Sequence, residues 1–252
     1  QSSDSIVEKS VFAYDTERPY NIISKSSLCS GGAEQVERTY YSNNTIPDKE
    51  SLTTSQRSAI QLLTSRNYLT TPVQQTMEKK DKRLYSVLRG YSSSLSSGMV
   101  VEDQYYCKGT DKYEKRISYN KYDIYGNPVY INKDGAEKVV YLWGYKGQYL
   151  LAEIKGATYE EVKKALMVDP ASMSSCILPS MPLYLDMIDN LYKALPSALI
   201  TSYTYHPLIG VSGIISPNKA KTTFEYNSDS QLIRIKDTEG KTMEEYQYHF
   251  RP

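Results

Sequence analysis

The chain has 252 residues, with 30 Lys+Arg against 29 Asp+Glu and a formal net charge of +1 at pH 7, so no global field draws it to nucleic acid or an acidic lipid surface. The length suffices for one large all-β domain or two ordinary ones. Tyrosine is the outlier, at 25 residues against 3 Phe and 1 Trp; rings with a polar tip suit strands that are half packed and half wet, which predicts thin sheets rather than a thick apolar core.

No apolar stretch approaches the roughly 20 residues of a membrane-spanning helix. The start, Gln1 to Ser5, carries no basic segment followed by an apolar run, so the chain reads as soluble, with any export signal removed or lying upstream. Cys29, Cys107 and Cys176 stand 78 and 69 residues apart. That spacing fits neither a metal knuckle nor a dense disulfide framework and predicts buried bystander thiols.

Residues 1–100 read as a Tyr-rich β region, with a boundary near residue 100. Within it, LTTSQRSAIQLLTSRNYLTTPV (52–73) predicts a helix with Ile60 and Leu63 on one side. MEKKDKR (77–83) then predicts an exposed hairpin, and GYSSSLSSG (90–98) a flexible loop.

Residues 101–252 read as hairpin repeats with a helical insert near 157–196. In YDIYGNPVYINKDG (122–135), Tyr122-Asp123 opens a turn, Val129 and Ile131 alternate with Tyr130, and Asp134-Gly135 makes a tight turn. Val139, Tyr141, Trp143 and Tyr145 then share one face of a return strand. Thr158-x-x-Glu161 has the form of a capping box before Val162, Ala165 and Leu166. Leu183, Met187, Leu191 and Leu195, with Tyr184, Ile188 and Tyr192 beside them, predict a lid or plug helix on the sheet. After a weaker register running from Tyr205 to Tyr226, a second copy opens at Tyr226-Asn227. There Ile233 and Ile235 alternate with Arg234, Gly240 closes the turn, and Tyr246, Tyr248 and Phe250 share a face.

Tyr122-Asp123-x-x-Gly126 with Asp134-Gly135, and the looser Tyr226-Asn227-x-x-Ser230 with Glu239-Gly240, resemble the YD repeats of the bacterial Rhs family. The resemblance covers residues 117–252; residues 1–116 match only in texture. It implies a mainly β fold, with antiparallel hairpin repeats forming a curved sheet or shell and two or three short inserted helices. It also implies the C-terminal segment of a large secreted or cell-surface protein, whose sheet edges meet further repeats or a second copy. In family members the shell encloses a toxic domain freed by an aspartyl autoprotease built on a DPxG-type motif. Here the one Asp-Pro, Asp169-Pro170, is followed by Ala171-Ser172, and the chain stops at YHFRP just after a repeat, so self-cleavage and toxin release are not expected.

Chemistry has few candidates. His206 precedes Pro207 in a turn and His249 lies on the last strand, both read as surface groups. Asp186 and Asp189 fall on the polar side of a helix, and Glu160 and Glu161 in a first turn, where they favour the helix dipole. Asp123, Asp134 and Asp237 lie at turns without the order of a calcium loop and are expected to brace those turns. No catalytic residue, metal or cofactor is therefore expected. Tyr141, Trp143 and Tyr145 on one strand, and Tyr246 and Tyr248 on another, remain as a ladder whose faces suit stacking on sugar rings, although the same alternation packs an inner sheet face. The expected role is a non-enzymatic shell segment, with a carbohydrate-binding or adhesive module as the alternative and, from the resemblance, the delivery shell of an Rhs-type toxin lacking its autoprotease motif and toxin tail as a second alternative. Surface glycans or another protein are the partners either role implies; nucleic acid is not, because no basic track accompanies the rings.

Overall fold

A computed structural model describes residues 9–28, 32–94, 98–175 and 181–248. The chain divides into two compact units, residues 1–119 with 133–135, and residues 120–132 with 136–252. The strands are β1 Ser10–Tyr14, β2 Ile22–Leu28, β3 Glu34–Tyr41, β4 Pro72–Lys79, β5 Lys82–Ser94, β6 Gly98–Lys108, β7 Glu114–Tyr122, β8 Pro128–Lys133, β9 Glu137–Gly144, β10 Tyr149–Lys155, β11 Leu199–His206, β12 Gly210–Ile215, β13 Lys221–Tyr226, β14 Leu232–Lys236 and β15 Thr242–Glu245. They follow one another in chain order through a single sheet with β1 and β15 as its edges. Among the described residues three α-helices are inserted: α1 Thr54–Ser65, α2 Tyr159–Leu166 and α3 Met181–Ala194. The mainly β fold of antiparallel hairpins with a few short helices is the one expected.

In the first unit α1 starts at a capping box, with Thr53 Oγ1 accepting from the Gln56 N–H and the Gln56 side chain accepting from the Thr53 N–H. The helix buries Ala59, Ile60 and Leu63 in a cluster with Ile46, Val73, Leu88 and Tyr105, each large side chain contributing on the order of 1.5–3 kcal/mol. Two expectations are corrected here. The division between the two compact units falls at 119/120 rather than near residue 100. Gly90 to Ser94 are not loop but the end of β5, where Tyr91, Ser92 and Ser93 pair with Val101, Val100 and Met99; tertiary pairing overrides the weak strand preference of serine.

In the second unit β9 and β10 turn Val140, Leu142, Leu151 and Ile154 toward α2 and α3. Thr158 and Glu161 form the expected capping box. The seam of α3 runs through Tyr184, Ile188 and Leu191, which are fully buried, while Met187, Tyr192 and Leu195 pack at its margin.

One turn design recurs. Asp123 Oδ1 accepts from the N–H groups of Tyr125 (2.9 Å) and Asn127 (2.8 Å), and Gly126 takes φ 86°. Asn227 repeats it with Asp229 and Gln231, and Asp237 with Glu239 and Lys241, the φ > 0 positions being Ser230 and Gly240. This bears out the expected bracing by Asp123 and Asp237. It also corrects the alignment of Gly240 with Gly135. Asp134 (φ 49°) and Gly135 (φ 71°) take left-handed backbone in the three-residue turn between β8 and β9, whereas Gly240 is the counterpart of Gly126.

Candidate functional site

The expected ladder is not one surface. Tyr141 and Trp143 are half-buried and alternate with the buried Val140 and Leu142. Tyr145 has left the strand: at φ 51° it begins the β9–β10 turn, and its ring packs against the Val140/Leu142 cluster. There it meets Tyr149 edge-on at 5.0 Å, and Tyr149 in turn lies 4.6 Å from Tyr205. The alternation rule fails at Tyr145 because the strand ends at Gly144. Tyr246 and Tyr248 follow β15 and are 39% and 46% exposed; Phe250 and His249 lie outside the described residues.

The polar tips of three of these rings have hydrogen-bond partners within the fold. The Trp143 indole N–H donates to the Pro128 carbonyl at 2.8 Å, Tyr248 to the Leu232 carbonyl at 2.8 Å, and Tyr246 to the Glu244 carboxylate. Two of these bonds belong to a wider pattern. Tyr41 donates to Ile22 O (3.0 Å), Tyr91 to Pro72 O (2.8 Å), Tyr205 to Leu150 O (2.8 Å) and Tyr226 to Val211 O (2.9 Å). In all six cases an aromatic near or just beyond the end of an odd-numbered strand caps the first or second carbonyl of the strand before it. Each bond thereby closes the end of a strand pair that is opposite its turn or insert. Desolvation by burial pushes the Tyr91 and Tyr205 hydroxyls up to about 12 and those of Tyr41 and Tyr226 upward, so the donors stay protonated. The excess of tyrosine signals this brace in retrospect, but its acceptors are backbone carbonyls that any residue supplies.

A second polar centre, unforeseen from sequence, lies in the first unit. Asp48 Oδ2 accepts from Gln74 (2.5 Å), Arg83 (2.7 Å) and Tyr113 (2.8 Å), and Tyr113 also meets Ser86 at 2.6 Å. Burial pushes the Tyr113 hydroxyl up. Cys107 lies beneath, 1% exposed, with its thiol donating to Asp111 O at 2.9 Å and pushed up by desolvation; a protonated, enclosed thiol is a poor nucleophile. With three donors on one carboxylate oxygen, the centre ties the segment before α1 to the sheet. Asp186 and Asp189 face solvent on α3, and His206 is exposed at the end of β11. Cys29 and Cys176 lie outside the described residues.

A cleft of about 520 Å³ lies over β11–β14, with Ile215, Phe224 and Ile233 among its apolar lining and His206, Lys221 and Glu225 among its polar groups. Glu225 is held by Lys236 and by Arg234 at 3.6 Å.

No protein-family model and no curated protein matches the chain. Among solved structures it is similar to a chain of the complex TcdB2-TccC3-Cdc42, at 11% identity and a TM-score of 0.36, over 94% of this chain and 13% of that one. It is similar also to a chain of the Photorhabdus luminescens Tc holotoxin pore, at 11% identity and a TM-score of 0.35, over 94% of this chain and 12% of that one. The chain thus spans only a small part of the length of either.

Proposed function

We propose that this chain is a structural, non-enzymatic length of sheet wall from a secreted or surface-exposed protein of the YD-repeat type. The observation that carries the reading is the aromatic brace: five tyrosine hydroxyls and one indole N–H tie strand ends to neighbouring carbonyls. Polar tips that a ligand site would hold free are spent on the sheet itself. The Asp-led and Asn-led turns support the same reading, since they repeat a structural device at successive hairpins.

The exposed rings of Tyr246 and Tyr248 favour one second reading, a carbohydrate-binding surface at the β15 end. A glycan-array screen of the whole chain beside a Tyr246→Ala/Tyr248→Ala variant separates the two. The wall reading expects a blank array with both proteins folded by circular dichroism. Selective binding that disappears in the folded variant would overturn it and make that surface a lectin site.

A further inference from the structure

The tyrosine brace follows a rule that one tyrosine meets in every respect except its acceptor. Tyr41, Tyr91, Tyr205 and Tyr226 each stand at the register shift that their strand makes against the following strand, between Tyr40 and Tyr41, Gly90 and Tyr91, Thr204 and Tyr205, and Glu225 and Tyr226. Each donates its hydroxyl the other way, to the opening carbonyls of the preceding strand. Tyr14 is the last residue of β1 and stands at the shift that β1 makes against β2, between Ala13 and Tyr14. Its ring is 50% exposed, and its hydroxyl has no acceptor among the described residues. β1 is an edge of the sheet.

We propose that the β1 edge is a docking site for one extended, uncharged peptide strand, entering antiparallel to β1 with an opening carbonyl placed on the Tyr14 hydroxyl. Continuity with the braced strand pairs sets the direction, since the strand capped by each brace tyrosine runs antiparallel to it and begins beside it. Charge sets the chemistry. Ser10-Val11-Phe12-Ala13-Tyr14 holds no side chain charged at neutral pH, and Val11 and Phe12 are 54% and 44% exposed. Natural edges are commonly blunted by charge. The opposite edge shows that device, with Glu244 and Glu245 on β15 and Glu245 paired to Arg234 at 3.0 Å, whereas β1 shows none. β4 and β8 illustrate the guest: each opens with proline, Pro72 and Pro128, whose carbonyl takes the aromatic donor and which has no N–H to satisfy.

The test uses the full chain and a capped synthetic peptide, Pro-Val-Tyr-Ile-Asn, the sequence of residues 128–132. Amide hydrogen exchange is followed at Val11 to Tyr14, and sedimentation is recorded alongside. The peptide is expected to slow exchange of the β1 amides that β2 leaves free, by about tenfold or more at saturation. Tyr14→Phe is expected to weaken the peptide about three- to tenfold, as for one lost hydrogen bond. Tyr20→Phe, an exposed ring outside the strands, should leave it unchanged. The proposal is overturned if no peptide concentration protects β1, if Tyr14→Phe binds as tightly as the parent, or if β1 is already protected without peptide. It is equally overturned if protection instead rises with protein concentration alongside a dimer, which would give the edge to a second copy.

Discussion

The hydroxyl of Tyr226, the last residue of β13, donates to the main-chain carbonyl of Val211 near the start of β12, at 2.9 Å. Gly210 makes room for it: a Cβ there would fall 2.6 Å from the Tyr226 hydroxyl oxygen. The brace therefore imposes a requirement on its neighbour. Gly210→Ala is expected to break the bond and cost about 1–3 kcal/mol, whereas Tyr226→Phe, which keeps the ring, should cost about 0.5–1.5 kcal/mol. Urea unfolding of the two variants checks the order; equal stability to the parent in both would contradict it.

A second close approach lies in the first unit. A Cβ at Gly90 would sit 2.4 Å from the Gln56 side-chain carbon. Gln56 is 1% exposed and held by Glu102 (2.9 Å), Asp103 (3.0 Å) and Tyr105 (3.2 Å). Gly90→Ala is expected to destabilise by about 1–3 kcal/mol. In a double-mutant cycle with Gln56→Ala, the combined loss should fall short of the sum, since the clash is removed with the glutamine. Strict additivity would mean that the two positions do not press on each other.

The Asp123 turn gives a graded expectation. Asp123→Ala removes a buried carboxylate that accepts from two backbone N–H groups of its turn and should cost about 1–3 kcal/mol. Asp123→Asn should cost less, because Asn227 performs the same task in its own turn. Thermal melts rank the three proteins, and an asparagine variant as damaged as the alanine one would refute the equivalence of the turns.

Alkaline pH tests the buried hydroxyls. Tyr91 and Tyr205 are pushed up to about 12 by burial, while an unfolded tyrosine ionises near pH 10. Above that pH the unfolded chain sheds protons that the folded one keeps, so stability is full below about pH 10 and is lost as pH rises through about 12. Melting temperature should fall between about pH 10 and pH 12, with tyrosinate absorbance rising in step with unfolding. Smooth ionisation in a still-folded sheet would show that these hydroxyls are not held.

Much of the fold was legible because its signals are local. The capping box at Thr158, the Asp134-Gly135 turn and the alternation of Val129 and Ile131 need only neighbouring residues to be read, whereas the box at Thr53 was not read from the sequence. The serine run after Gly90 misled because its strand is made by pairing with Val100 and Val101 of β6, which local composition does not register. The aromatic ladder misled at Tyr145 because alternation says nothing of where a strand stops. The brace was the least legible element, since a tyrosine that caps a carbonyl and one that waits for a ligand look alike until the acceptor is placed.

The most direct test of the account combines Tyr41→Phe, Tyr91→Phe, Tyr205→Phe and Tyr226→Phe in the full chain, with urea unfolding followed by circular dichroism. Every ring is kept and only the hydroxyl bonds are lost. A braced sheet predicts a loss of about 2–6 kcal/mol, close to the sum of the four single changes. A variant within about 0.5 kcal/mol of the parent would show that the tyrosine hydroxyls do not hold the wall together.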